Sequence, residues 1–421
     1  MPVILAIFAQ TPKVFSGIVR REMKLLVFAY TPPPHHGQSY MVKLLLDGFA
    51  EESKSAKPSQ DTPHITCYHV NALFASDVTD MGRFRWQKVW LVFKYCFVAI
   101  SLRFRHGIEN FYYVPAPALK NSLIRDWIIL LLCRPFYKRL FLHWHAAGLG
   151  GWLEQTQPSF SRWLSHLVLD NADLSIAVSG VNIPDADKFF PKQQALVYNG
   201  IADPFPDFTT KILPVRAARL HKRTQRAEET SVVKVLFLSL CCKEKGLIDT
   251  VRAMKLANDA ALKAGLGLTF QLTVAGKFLN PEEEELFSKT VMDCDLHHCV
   301  TYAGFLGGEA KKQAFMEADI FCFPTYYWAE AAVPLVLIEA MACGLPMVAS
   351  QWRSEPRFYP PHYPGLVAVK NPDQIAGALL ELANADLFQF FRDCYLQNFT
   401  LSHHLATLKK SFLNAENSNH G

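Results

Sequence analysis

The sequence predicts an α/β protein of two domains, each a parallel β-sheet covered by helices on both faces. Three observations carry this prediction. The chain has 421 residues, and at about 150 residues per domain that length implies two or three domains. Half of the residues are hydrophobic and 19% are charged, which is ample material for packed cores and excludes a wholly disordered chain. Short apolar runs alternate with helix-length stretches along most of the length, the rhythm of parallel strands joined by crossover helices.

In chain order, residues 1–22 read as an N-terminal extension. Met1–Gln10 is apolar but has no basic stretch before it, so it makes a poor secretory signal. No segment reaches the roughly 18–20 uninterrupted apolar residues of a spanning helix. Residues 23–205 form the first domain, with strands expected at Lys24–Ala29, His64–His69, Asn110–Val114, Arg139–His143, Leu174–Val178 and Ala195–Tyr198. Each is a short apolar run bounded by polar or turn-forming residues. The rhythm breaks at the turn-rich Asp203-Pro-Phe-Pro-Asp207. Arg216, Arg219, Lys222, Arg223 and Arg226 follow, closed by Glu228 and Glu229. Residues 206–230 therefore read as a basic linker holding a short solvated helix, open to a membrane or polyanion. Residues 231–384 form the second domain, with strands expected at Val232–Ser239, Thr269–Ala275, Val300–Ala303, Ile320–Pro324, Pro346–Ala349 and Gly365–Val369. The halves share this rhythm as two Rossmann-like domains would.

Composition bounds the function. Forty-three Lys and Arg against 38 Asp and Glu give a net charge of +5, which permits an acidic ligand or an anionic membrane without demanding nucleic acid. The ten cysteines are scattered with no Cys-x-x-Cys pair, the pattern of buried thiols in a reducing compartment. Cys294-Asp-Leu-His297-His298-Cys299 lacks a second ligand pair and reads as an ordinary loop. Asp185-Ala-Asp187 and Asp293-Cys-Asp295 read as solvated acid, so no metal is expected.

Trp86–Phe104 is apolar nearly all round, with one thin polar stripe of Gln87, Lys94 and Ser101 and with Arg83, Arg85, Arg103 and Arg105 at its ends. Two readings stand: a deeply packed core helix, or a helix lying in a membrane interface with its arginines at the phosphates. Trp127–Cys133, with Arg134 and Lys138 behind it, follows the same recipe.

In an open parallel sheet, ligands bind at the carboxyl ends of the strands, so the loops there hold the candidate site. Gly37 precedes a helix after the first strand, where backbone N–H groups can approach a phosphate. His143 and His145 end the strand near 140. Lys243 and Lys245, with Gly246, follow the first strand of the second half and offer charge where a diphosphate would sit. The longest signal runs from Phe323 to Ser350: a strand, a loop with Glu330, a helix with Glu339, then Gly344-Leu-Pro346 and another strand. Neither GxGxxG nor GxxxxGK[ST] occurs, which argues against nicotinamide-dependent dehydrogenases and P-loop NTPases.

The phrase Pro334-Leu-Val-Leu-Ile-Glu339-Ala-Met-Ala-Cys-Gly-Leu-Pro346 resembles the Glu-x7-Glu signature of retaining, nucleotide-sugar-dependent glycosyltransferases of family 4, which have the GT-B architecture. Lys245-Gly246, Asn199-Gly200-Ile201, Gly304-Phe305 and Phe323-Pro324-Thr325 are similar to further motifs of that family, from about Met23 to Asn384. The resemblance implies two Rossmann-like domains facing across a cleft, with residues 385–421 a helical segment crossing back to the first. It implies that Lys245 neutralises the leaving diphosphate, Glu330 meets the donor sugar, and His143 or His145 contacts that sugar, His145 catalytically. Glu339 would hold the donor ribose, with Leu335 and Val336 beside it. Gly37 would approach the diphosphate, and Gly304 and Phe305 would face the base.

Two departures matter. Leu240 stands where the family has an arginine, leaving Lys243 as a stand-in cation, and Glu330 precedes Glu339 by nine positions, so Ala331 holds the usual register. The expectation is a retaining transferase, of hexosyl type, without a cofactor. It would use a nucleoside diphosphate sugar on a glycan or lipid-linked acceptor in polysaccharide or glycan biosynthesis. It would sit in the cytoplasm, peripherally at the cytoplasmic face of an anionic membrane. A nucleotide-sugar 2-epimerase of the same fold and a catalytically degenerate sugar- or lipid-binding subunit are the alternatives.

Overall fold

The structure, a computed structural model, describes residues 22–33, 37–55, 63–74, 86–225, 230–328, 330, 333–353 and 355–418. Residues 1–21, Arg83, Arg85, Arg226, Glu228, Glu229 and Ala331 lie outside the described residues.

The first domain runs β1 (Glu22–Ala29), α1 (Gly37–Ser55), β2 (His64–Asn71), α2 (Trp86–His106), β3 (Asn110–Tyr113), α3 (Lys120–Cys133), β4 (Arg139–Trp144), α4 (Leu149–Thr156), α5 (Ser159–Leu169), β5 (Leu174–Ala177), α6 (Ile183–Ala186) and β6 (Gln194–Leu196). The second runs α7 (Leu213–Gln225), β7 (Ser231–Leu238), α8 (Leu247–Lys263), β8 (Leu268–Ala275), α9 (Pro281–Asp293), β9 (Val300–Tyr302), α10 (Gly308–Glu317), β10 (Ile320–Phe323), α11 (Leu335–Ala342), β11 (Met347–Ser350), β12 (Leu366–Val367), α12 (Pro372–Leu382) and α13 (Phe388–Asn398). Helix α14 (Leu401–Asn417) follows. All twelve expected strands are present, in two six-stranded parallel sheets ordered β2-β1-β3-β4-β5-β6 and β12-β11-β10-β7-β8-β9.

Strand β1 shows why the runs are apolar throughout. Leu26 and Phe28 join the core under α2 and α3, while Leu25, Val27 and Ala29 point the other way, to α1 and α14. A strand buried on both faces cannot alternate apolar with polar. Strand order reverses beside β1 in the first sheet and beside β7 in the second. A crevice opens at such a switch point, at the carboxyl ends of the strands. The loops after β1, β7 and β10 are thereby placed in it.

Residues 206–230 depart from the solvated linker the charges suggest. Phe208–Ile212 and α7 dock on the second domain, and Arg216 is 2% exposed. Its guanidinium donates to the carbonyls of Phe315 and Ala318, both at 2.8 Å. Arg219 and Arg223 pair with Asp319 at 3.5 and 2.9 Å. Carbonyls at a helix C-terminus need donors; those at the end of α10 take Arg216 and Arg219, and Arg223 donates to Ala383 O, so all three arginines are engaged within the domain. Arg216→Ala is expected to cost about 2–4 kcal/mol, because two buried acceptors lose their donor. A lowered urea midpoint reads this out; an unchanged midpoint would show that the fork carries nothing.

The return to the first domain also begins later than residue 385. Helix α13 packs in the second domain against α7 and α11, and α14 alone reaches the first. The chain thus crosses between domains twice, at Ile201 and Thr400, and the two passages bond to each other. Ile201 N–H donates to Phe399 O at 2.9 Å and Leu401 N–H to Ile201 O at 2.8 Å. Gly200 sits within this junction, where a Cβ would lie 2.5 Å from Thr400 O.

Candidate active site

The start of α1 comes close to the start of α11. Gly37 opens α1, and a Cβ placed on it would meet Leu335 Cδ1, at the start of α11, at 3.8 Å. The sequence-expected Gly37 and Leu335 are therefore brought together, with Val336 next along α11. Unpaired N–H groups and the helix dipoles make such a place favourable for an anion.

Lys245 stands in the turn after β7. Gly246 takes φ +83°, and a Cβ there would lie 2.5 Å from Pro324 O, so the turn packs directly on the loop after β10. Tyr326 N–H donates to Glu244 O at 2.8 Å and stitches the two loops together. Lys245 Nζ meets Glu330 Oε2 at 2.5 Å and lies 4.5 Å from the centroid of the Tyr327 ring. Both side chains are largely shielded, at 12% and 17% exposed. Buried Thr325 adds its hydroxyl to the same carboxylate oxygen at 3.4 Å. Glu330, offset by one position from the family register, still lies beside the lysine.

Glu339 lies one turn into α11. Its Oε1 accepts from Lys311 Nζ at 2.5 Å, and its Oε2 is buried with no hydrogen-bond partner among the described residues. Burial pushes its carboxyl above the usual range, and Lys311 opposes that shift. An unpartnered buried carboxylate oxygen is costly unless a ligand donor meets it.

The remaining expected residues divide. His145 is partly exposed, its ring 4.2 Å from that of His143. His143 is 1% exposed, with Nδ1 2.6 Å from Tyr112 Oη, so it does not reach the surface. Burial, then His145 and His404, hold His143 well below the usual imidazole range and keep it neutral. Lys243 is exposed, and its charge is felt by Asp249. Gly304, at φ +68°, accepts from Gly276 N–H at 2.8 Å. Phe305 is 65% exposed, with Lys277 Nζ 5.6 Å from its ring.

Several site residues were missed in the sequence. Lys311 looks like its neighbour Lys312, which pairs with Glu309 at 2.8 Å on the surface. Arg353 holds the loop after β10 by donating to Trp328 O at 2.7 Å and Glu330 O at 2.8 Å, with its other terminal nitrogen 3.6 Å from the Cβ position of Gly148 in the first domain. Glu355 bridges the domains by accepting from Gly180 N–H at 2.7 Å and Tyr198 O–H at 2.8 Å. Asp185, read as solvated acid, instead accepts from Gly148 and Gly151 N–H at 3.0 and 2.9 Å and shapes the loop after β4. Asp295, His297 and His298 bring ligand atoms within 4.8 Å of one another on the surface, while Cys299 is buried.

The two parallel-sheet α/β domains define the GT-B architecture, and comparison with known proteins agrees. Residues 219–388, from within α7 to the start of α13, match the family described as glycosyl transferases group 1. The chain is 28% identical over 151 residues to the amylovoran biosynthesis glycosyltransferase AmsK of Erwinia amylovora, a match spanning 35% of each chain. Among solved structures, sucrose-phosphate synthase from Thermosynechococcus elongatus superposes with a TM-score of 0.66 at 18% identity, covering 93% of this chain and 98% of that one. Anabaena HepE, solved with UDP-glucose, gives 0.61 at 15% identity, covering 93% and 100%.

Proposed function

We propose that this protein is a retaining glycosyltransferase. It moves a hexosyl group from a nucleoside diphosphate sugar to a glycan or lipid-linked acceptor at a membrane surface. The observation that carries the reading is the shielded Lys245–Glu330 pair on the loops after β7 and β10, at the carboxyl ends of the second sheet's strands. When a donor enters, its diphosphate takes the lysine from Glu330, and the freed carboxylate accepts from hydroxyls of the sugar. As the anomeric C–O bond breaks, charge builds on the leaving phosphate, and Lys245 with the helix N–H groups stabilises it. The acceptor oxygen bonds to the anomeric carbon on the face the phosphate leaves. Its proton passes to a phosphate oxygen. In this reading Lys245 and the helix N-termini meet the diphosphate charge, and no metal is called upon. The UDP-glucose of Anabaena HepE supports a uridine diphosphate sugar as the first donor to test, and AmsK supports a polysaccharide setting.

Glu330→Gln tests this directly. Transfer, or slow donor hydrolysis, is expected to fall about 10²-fold, while nucleoside diphosphate affinity holds or rises because Lys245 is released. A Glu330→Gln enzyme as active as its parent would sink the sugar-binding role. Wild type that neither transfers nor hydrolyses any nucleotide sugar it binds would favour a non-catalytic subunit.

A further inference from the structure

Helix α2 has one side in the core and an apolar side open to solvent. Val92, Cys96 and Ala99 are buried in the first domain's core. The opposite side exposes Trp90 at 69%, Phe93 at 51%, Phe97 at 73% and Phe104 at 68%. Lys94 and Arg105 stand in the adjoining lane of the same exposed side.

The stripe does not stop at α2. Helix α3 packs beside it, and α5 packs beside α3. Tyr137 O–H donates to Ala99 O at 2.8 Å, Trp127 Nε1–H to Ser165 Oγ at 2.9 Å, and Arg134 to Val168 O at 2.7 Å, fixing the three as one layer. Ile124 and Leu131 of α3 are exposed at a spacing of seven, and Phe160, Trp163 and Leu167 of α5 at spacings of three and four. Each helix thus turns an apolar stripe to solvent, and the α2 stripe continues through Phe104 to Phe136, with ring centroids 5.9 Å apart. A monomer rarely exposes so large an apolar face without a partner.

Charge selects the partner. Residues 86–138 carry eight Lys and Arg against two Asp and Glu, a net +6 that exceeds the +5 of the whole chain. Neither acid offsets the field freely. Asp126 is 1% exposed beside Arg125, and Glu109 pairs with Lys138 at 2.6 Å. Two copies meeting through this face would bring like charges together. Aromatics at headgroup level with lysine and arginine beside them suit an anionic bilayer. Of the arginines flanking α2 in the sequence, Arg103 is turned to Phe136 O at 2.8 Å and Arg105 is exposed, with Lys94 exposed beside the aromatics.

We infer that the outer face of α2, α3 and α5 docks on an anionic lipid surface, with the aromatics of α2 inserted and Lys94 and Arg105 on the phosphates. This deepens the proposed function, on which its purpose rests: the docked enzyme meets an acceptor carried in the same membrane. Vesicle co-sedimentation without donor or acceptor tests the docking by itself. Wild type is expected to sediment with vesicles containing phosphatidylglycerol at low salt, and far less with pure phosphatidylcholine or at high salt. Trp90→Ser, Phe93→Ser and Phe97→Ser together should weaken binding about tenfold or more. Lys94→Glu with Arg105→Glu should cost about fivefold per residue or more. Both variants change exposed side chains, so thermal midpoints and donor hydrolysis should stay at wild-type values. Wild type that never sediments, or variants that bind as wild type does, overturn the inference while leaving the catalytic reading intact. So does a wild-type dimer, broken by the triple variant, that ignores vesicles: the face then belongs to a second copy.

Discussion

Lys245→Ala is expected to lower turnover about 10²–10³-fold, the cost of removing one preorganised donor from a site where charge develops. The loss should fall mainly on turnover, because in the proposed reading the N–H groups at the starts of α1 and α11 remain for the ground-state diphosphate. Lys245→Met keeps the stem between Phe323 and Tyr327 and removes only the charge, so it separates chemistry from packing. Near-normal turnover in folded Lys245→Met would end the assignment. Arginine at 245 should recover part of the rate, since charge is what the reaction uses.

Glu339→Gln is expected to move two quantities in opposite directions. Nucleoside diphosphate affinity should fall about tenfold or more, because a charged acceptor for hydroxyl donors is lost. Stability of the unliganded protein should hold or rise at neutral pH. Burial raises the folded carboxyl of Glu339, so its contribution is full below the ordinary carboxylate range and is lost as pH rises through the folded value. Glutamine removes that cost. Isothermal titration and thermal melts read both effects. A variant that binds nucleotide normally yet melts early would show that Glu339 merely anchors Lys311. Nucleotide binding in the parent should also weaken with acidification earlier than an ordinary carboxylate would dictate, because protonation makes Glu339 a poorer acceptor.

The strands were legible because parallel strands buried on both faces are written as continuous apolar runs, as β1 is. Lys245, Glu330 and Glu339 were legible because each stands next to a strand end or helix start. What escaped is what depends on a partner far along the chain. Arg216 looks solvated until Phe315 and Ala318 supply carbonyls 99 and 102 residues away. Lys311 and Lys312 are equivalent in sequence; only folding sets one against Glu339 and the other against Glu309. Helix α2 misled by being apolar on nearly every side: its aromatics Trp90, Phe93, Phe97 and Phe104 line the exposed side, opposite the buried Val92, Cys96 and Ala99. The side-chain burial of His143 was hidden too, since strand alternation distinguishes it from Trp144 but not from His145.

The return of α14 has a consequence for how the protein is made. Leu408, Phe412 and Ala415 belong to the same core as Leu25, Val27, Tyr112 and Phe141, and Phe412 stacks on Phe141 at 5.5 Å. The first domain is therefore built from two pieces of chain separated by the entire second domain. During synthesis its sheet emerges first, with the bed for Phe412 exposed on one face. The second domain, whose core draws on residues 201–399, can close before α14 has left the ribosome. The part made first is thus the part completed last, and a nascent chain halted before residue 401 would carry an open apolar groove for chaperones to cover.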